Sequence, residues 1–245
     1  MAAPFAQRLY GWRPNGYPNV SDKDNQTSVE LAAGVNDSLE VTRVSHEKGQ
    51  TLGSNLEAAV WADLCAELQE GHESSEWRVR RNVVISDFNQ FAHLAEAQKA
   101  VDRYPVLRTA LGMDYLIKLD VAVSVASPLP HAARDMLHAA VSCKWSIRSD
   151  RVQNTRHEFL KMVHNRRART PHLICVTAEP LPSRLAAIAR GTGEVDATYH
   201  IAFWELHKEA MALPSGNLER DIWQELTLQG RLLPYESLVD TLLHS

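Results

Sequence analysis

Apolar residues along this chain change their period several times, and each change marks an element. In residues 54–70 (SNLEAAVWADLCAELQE), Leu56, Val60, Leu64 and Leu68 recur every fourth position behind a Ser-Asn start, which predicts a helix. WRVRRNVVI (77–85) reads as a strand with a basic exposed face, and residues 88–103 as a helix ended by Pro105. YLIKLDVAVSV (115–125) and HAAVSCKWSI (138–147) are nearly continuous β-branched or apolar runs joined by the proline-rich PLPHAARD, and both predict strands. Residues 150–165 predict an amphipathic helix with Val152, Phe159, Leu160 and Val163 on one side. HLICVTA (172–178) predicts a buried strand, SRLAAIAR (183–190) a helix stopped by Gly191, and ATYHIAF (197–203) a last strand before a mostly helical remainder. Residues 1–28, rich in Pro, Asn, Gly, Ser and Asp, carry turn and loop chemistry.

Alternation of strand and helix after residue 114 defines an α/β class: a mixed central β-sheet flanked by helices. The expected organisation is one domain over 1–245. Its core covers about 54–210, with an N-terminal loop (1–28) and C-terminal helices (204–245) as additions.

Composition narrows the class. With 245 residues, 44% hydrophobic and 23% charged, the chain can bury one sizeable core and is neither disordered nor a disulfide scaffold. Its apolar runs are far too short to span a membrane, and MAAPFAQRLYGW has no secretion-signal pattern. Cys65, Cys143 and Cys175 are odd in number and lack CxxC spacing, as expected for reduced thiols in a cytoplasmic protein with no membrane partner. The net charge of −4 does not favour nucleic acid, but its distribution does: residues 148–169 hold seven Arg or Lys against two acids.

The chemistry concentrates between residues 120 and 158. Asp120 and Lys144 each sit inside a strand built for burial, so each needs a partner or an ion. One reading is a structural ion pair. The other is a divalent-metal hydrolase site, in which the Asp binds a hard cation and the Lys steadies an attacking water and a phosphate oxygen. Nucleases commonly place a second acid two residues before the Lys, but that position is Ser142. Glu158, on the following helix and off its apolar side, can replace it. It lies seven residues after Arg151, so on a helix the two side chains point within roughly 20° of each other, about 10 Å apart along the axis. Arg148-Ser149-Asp150-Arg151 is either an ordinary capped helix start with surface arginines or a base-reading group, since Arg pairs with guanine and Asp accepts from cytosine.

VSCKWSIRSDRVQNTRHE (141–158) strongly resembles the active-site and recognition segment of the NgoMIV family of type II restriction endonucleases, within the PD-(D/E)xK nuclease superfamily. Similarity continues through residues 165–206, with islands at SDKDNQTS (21–28) and GQTLGSNLEA (49–58). The resemblance implies a restriction-endonuclease-like core and Mg²⁺-dependent cleavage of double-stranded DNA at a palindromic CCGG-containing site, GCCGGC cut after the first G. It makes Asp120 and Glu158 metal ligands, with the Cys143 carbonyl as a further ligand, Lys144 the catalytic lysine and Glu57 an outer acidic residue. Arg148, Asp150 and Arg151 match the readers of the central CCGG. Arg184 matches the reader of the outer guanine, Asp22 its cytosine partner, and Gln50 a residue reaching the minor groove. The residue before Asp120 is Leu119 where the superfamily motif has Pro, the connection to Lys144 is shorter than in the family, and Asp114 is a rival metal ligand. The flanks LDVAV favour Asp120, because Asp114 lies in a Gly-Met-Asp turn.

A palindromic target implies a homodimer, and the resemblance adds a homotetramer as the larger assembly and a cognate methyltransferase as a genetic partner. The histidines show no HxH or HExxH spacing, which argues against zinc, and Gly191-Thr192-Gly193 follows a helix, so it does not cradle phosphate. Trp61, Trp77, Trp145, Trp204 and Trp223 are expected to pack in the core or an interface.

Overall fold

A computed structural model describes residues 1–70, 77–111, 116–128, 133–147 and 149–244; for 69–70, 110–111 and 149–152 it describes the backbone only. Among the described residues six strands form one sheet in chain order: β1 (Arg78–Val84), β2 (Lys118–Val125), β3 (Met136–Lys144), β4 (His172–Thr177), β5 (Ala197–His200) and β6 (Leu232–Pro234). The first three pair antiparallel and β3 to β6 pair parallel, so the sheet is mixed as expected. The central strands are buried because they are apolar on both faces: Val121 to Val123 and Ala139 to Val141 have essentially no exposed surface.

Helices α1 (Ala6–Leu9), α2 (Gln26–Ser38), α3 (Gly49–Cys65), α4 (Ala92–Arg103) and α5 (Val106–Leu111) occupy the first half. The second half carries α6 (Ser149–Asn165), α7 (Pro182–Ala189), α8 (Phe203–Ala212), α9 (Leu218–Leu228) and α10 (Leu238–Leu243). The third of these, α3, packs across β1, β2 and β3. It begins five residues earlier than its Ser-Asn signal predicts, because Leu52, buried like Leu56, Val60 and Leu64, extends the apolar stripe by one turn.

The N-terminal segment corrects the sequence reading. Residues 1–28 are not a peripheral loop: Phe5, Ala6, Leu9, Tyr10 and Val20 are buried, and the Ala3 amide donates to Ile201 O at 2.7 Å. Turn residues are used there to fold apolar groups inward, with Gly16 at φ +83°. The C-terminal remainder likewise contains β6, three residues too short to show alternation, whose Pro234 suits an edge strand. The strand expected over 197–203 ends at His200, since Phe203 already opens α8. The helix expected from residue 88 begins at Ala92. Before it, buried Gln90 donates to Leu137 O at 2.6 Å and accepts from Leu137 N at 2.9 Å, using short turns to anchor the start of β3. Trp145 and Trp223 are buried in the core, while Trp204 and Trp61 are partly exposed (47% and 37%), as is Leu160, expected on the apolar side of α6.

Candidate active site

The register that pairs Val121 with Val141 sets Asp120, at the start of β2, beside the Ser142–Lys144 end of β3. One oxygen of Asp120, Oδ2, accepts from the Cys143 amide at 2.8 Å, Lys144 Nζ at 2.9 Å and Ser142 Oγ at 3.3 Å. Among the described residues no hydrogen bond reaches its Oδ1, which leaves that oxygen for another ligand. Burial works against the Lys144 ammonium, but the charge of Asp120 and its hydrogen bond outweigh it and hold the amine above its ordinary value. The ion pair with Asp120 thus favours the charged form of the amine. The nearby thiols are inert: all three cysteines are free, and burial raises both Cys143 and Cys175, the latter to about 12.

Two more carboxylates approach from helices. Glu57 projects from α3, with Arg81 of β1 at 3.8 Å. Burial raises its carboxyl above the ordinary range, and Asp120 adds to this, while Lys144, Arg81 and Lys118 oppose it. Partial desolvation also raises Glu158 on α6; there Lys144 opposes the shift and Asp120 reinforces it. Glu57 and Glu158 thus both sense the charges of Asp120 and Lys144. A cleft of about 430 Å³ is lined by Gln50, Glu57, Cys143, Lys144, Asn154 and Glu158. Asp120, Glu57 and Glu158 face Lys144, Lys118 and Arg81, and a hard divalent cation would relieve the mutual repulsion of the carboxylates. Among the described residues no group of three or more His, Cys, Asp or Glu side chains could by itself hold an ion. The donor set nonetheless fits magnesium, which is commonly held by one or two carboxylates with water and phosphate completing its shell.

Beside this cleft lies a second, of about 370 Å³, lined by Asp22, Lys23, Lys48 and Arg184; Gly49 and Trp145 line both. Trp145 is 2% exposed and packs on Tyr10 with ring centroids 5.4 Å apart, a rigid wall between the two clefts. Arg184, in the first turn of α7, donates to Asp22 and forms an ion pair with it. The loop bearing Asp22 is held by Arg13, which donates to the carbonyls of Asn19 and Ser21 at 3.0 and 2.9 Å. The two residues matched to one outer base pair, 162 positions apart in sequence, thus meet in space.

Helix α6 lines the first cleft through Asn154, Thr155 and Glu158. Buried Thr155, Phe159 and Met162 pack it down, and Arg156 Nε donates to Glu194 Oε1 at 2.7 Å. Arg148 and Asp114 lie outside the described residues; Asp150 and Arg151 lie within α6, their side chains undescribed. Among the described residues, the end of the basic run 148–169 turns away from the cleft. Arg169 meets His138 at the far end of β3, six residues from Lys144 and so roughly 20 Å away. Helical and loop geometry carries the end of that run away from the cleft. Residues not singled out in the sequence also matter here. Arg81 belongs to the basic face of β1 and Glu179 interrupts an apolar stretch after β4, signals visible only as isolated charges.

A family model described as NgoMIV restriction enzyme matches residues 13–129 and 124–234. The type II restriction enzyme NgoMIV of Neisseria gonorrhoeae is 37% identical over 234 residues, covering 81% of this chain and 80% of that protein. A solved structure of restriction endonuclease PspGI with substrate DNA aligns at a TM-score of 0.34 and 9% identity, covering 91% of this chain and 82% of that one. That likeness is too remote to carry weight. With the match to the family model and to the relative, the protein falls among the type II restriction endonucleases, which are site-specific deoxyribonucleases. Within them, the chain belongs to the NgoMIV restriction enzyme family.

Proposed function

We propose that this enzyme cleaves double-stranded DNA at a palindromic CCGG-containing site, GCCGGC cut after the first G, with Mg²⁺ as cofactor. The observation that supports it most is the meeting of Lys144, Glu57 and Glu158 around one cleft, with Asp120 hydrogen-bonded to Lys144, next to the paired Asp22 and Arg184. Asp120 and Glu158 would hold the ion, with the Cys143 carbonyl as a further ligand and Glu57 as the outer acid. Bound there, the ion supplies Lewis-acid stabilisation to the phosphate. The Lys144 ammonium orients the attacking water in line with the scissile bond and stabilises charge on the phosphate oxygen, a role that suits an amine held protonated. Arg148, Asp150 and Arg151 read the central base pairs and Gln50 reaches the minor groove. Arg184 and Asp22 exchange their mutual ion pair for the outer guanine and cytosine.

Because Asp150, Arg151 and Glu158 share α6, a wrong base at Arg151 displaces Glu158 and slows chemistry. A two-fold target calls for a homodimer in the cytoplasm, and pairing of dimers into a homotetramer makes plasmids with two sites faster substrates than those with one. Digestion of DNA of known sequence, with and without Mg²⁺, followed by end mapping, tests the reading. Discrete GCCGGC ends are expected; metal-independent or sequence-independent cutting would overturn it.

A further inference from the structure

Glu179 stands two residues beyond β4 and is 1% exposed, yet the phosphodiester chemistry above does not use it. A carboxylate so deeply buried is costly unless its oxygens are satisfied. Both are, and by different segments. Oε2 accepts from the Ile147 amide at 2.7 Å, and Oε1 accepts from the Leu181 amide at 3.1 Å. Its own amide donates to Thr177 Oγ1 at 3.1 Å, which fixes its base to the end of β4. Ile147 lies between Lys144 and Arg148, on the path from the catalytic strand to α6. Leu181 is the residue from which α7 starts, three positions before Arg184. One planar group thus joins the segment leading to the inner base readers to the helix carrying the outer one.

We propose that Glu179 is a positioning residue for sequence discrimination, setting the spacing between Ile147, at the end of the β3 segment, and α7 so that inner and outer base pairs are read as a unit. This rests on the reader roles proposed above. A carboxylate is needed because both contacts are made to N–H donors; an amide offers only one acceptor and turns donors toward the other N–H. The charged and titratable groups nearest to it are Arg184, Asp22, Tyr10 and His200. Burial outweighs the backbone donors and Arg184, and raises the Glu179 carboxyl to about 7. The link is therefore intact above neutrality and weakened below it.

The test is competition binding without divalent metal, using duplexes with GCCGGC, with the outer pair changed (ACCGGT), and with a scrambled centre. Glu179→Gln should lose about ten- to hundredfold of the preference for GCCGGC over ACCGGT, the worth of a hydrogen bond to a charged group, while affinity for the scrambled duplex stays unchanged. Wild-type preference should fall in the same sense as pH drops through about 7, a readout that a purely structural role would not move and that remains available even if the variant folds poorly. Full outer-pair preference in a folded Glu179→Gln variant, or a flat pH profile in the wild type, would overturn the inference. Absence of any preference for CCGG in the wild type would instead remove the reading beneath it.

Discussion

Lys144 Nζ and Asp120 Oδ2 lie 2.9 Å apart across adjacent antiparallel strands, so the amine and the carboxylate neutralise each other at the half-buried edge of the core. The structural ion pair and the hydrolytic site, which the sequence left as alternatives, are thus compatible. The pair stabilises the buried strand ends while Asp120 Oδ1 stays available. Lys144→Ala should leave specific DNA binding largely intact and reduce cleavage by about a hundredfold or more, as loss of a preorganised cation does. Gel-shift affinity and single-turnover cleavage on the same duplex separate the two effects, and cleavage at the wild-type rate would remove Lys144 from the mechanism.

Asp22 and Arg184 supply a second prediction. Replacing Asp22 by Ala should relax selection at the outer base pair by about 1–3 kcal/mol while central CCGG preference is retained. Cleavage rates on duplexes differing only at the outer pair provide the measurement. Equal loss on every duplex would make Arg184 and Asp22 a structural pair only.

Helix α6 depends on Glu194, which is nearly buried and accepts from Arg156. Arg156 is partly exposed, so solvent screening limits the pair, and Glu194→Gln should cost only about 1 kcal/mol of stability. Because the helix carries Glu158, cleavage should fall by more than that stability loss explains. Denaturant titration and cleavage assays on the same variant test this, and an unaltered cleavage rate would show that α6 is fixed by its apolar face alone.

His138 makes the fold sensitive to acid. Its Nε2 donates to Leu242 O at 2.9 Å and its Nδ1 accepts from Arg169 at 2.6 Å, an arrangement open only to the neutral ring. Burial lowers its pKa to about 4, with Arg169 and His172 adding to the effect. For a group whose folded value lies below its unfolded one, the folded state resists protonation. The stabilisation is complete above about 6.5 and is lost as pH falls toward about 4, to the extent of about 3 kcal/mol. His138→Gln should therefore be less stable than the wild type at neutral pH, with the gap narrowing across that window. A constant gap in denaturation midpoints would refute the assignment.

Much of the sheet was legible because apolar runs such as LDVAV and HLICV have few alternatives to a buried strand. Asp120 and Lys144 stood out for the same reason, as charges where the pattern demands none. What escaped the sequence depends on long-range packing. The burial of residues 1–28 comes from tight turns that bring Phe5 and Tyr10 inward, and β6 exists because Leu232 finds β5. Glu179 was invisible for a related reason: its partners are backbone amides, which carry no signature in side-chain identity.

Chain order and sheet order coincide from β1 to β6. During synthesis each strand therefore emerges next to a neighbour already made, and no strand must thread between two existing ones. A ribosome halted just past residue 144 would have produced both members of the Lys144–Asp120 pair. It would not yet have made Glu158, Arg184 or the edge strand β6, so neither the full set of carboxylates nor the pairing of Asp22 with Arg184 exists until the second half of the sheet has been made.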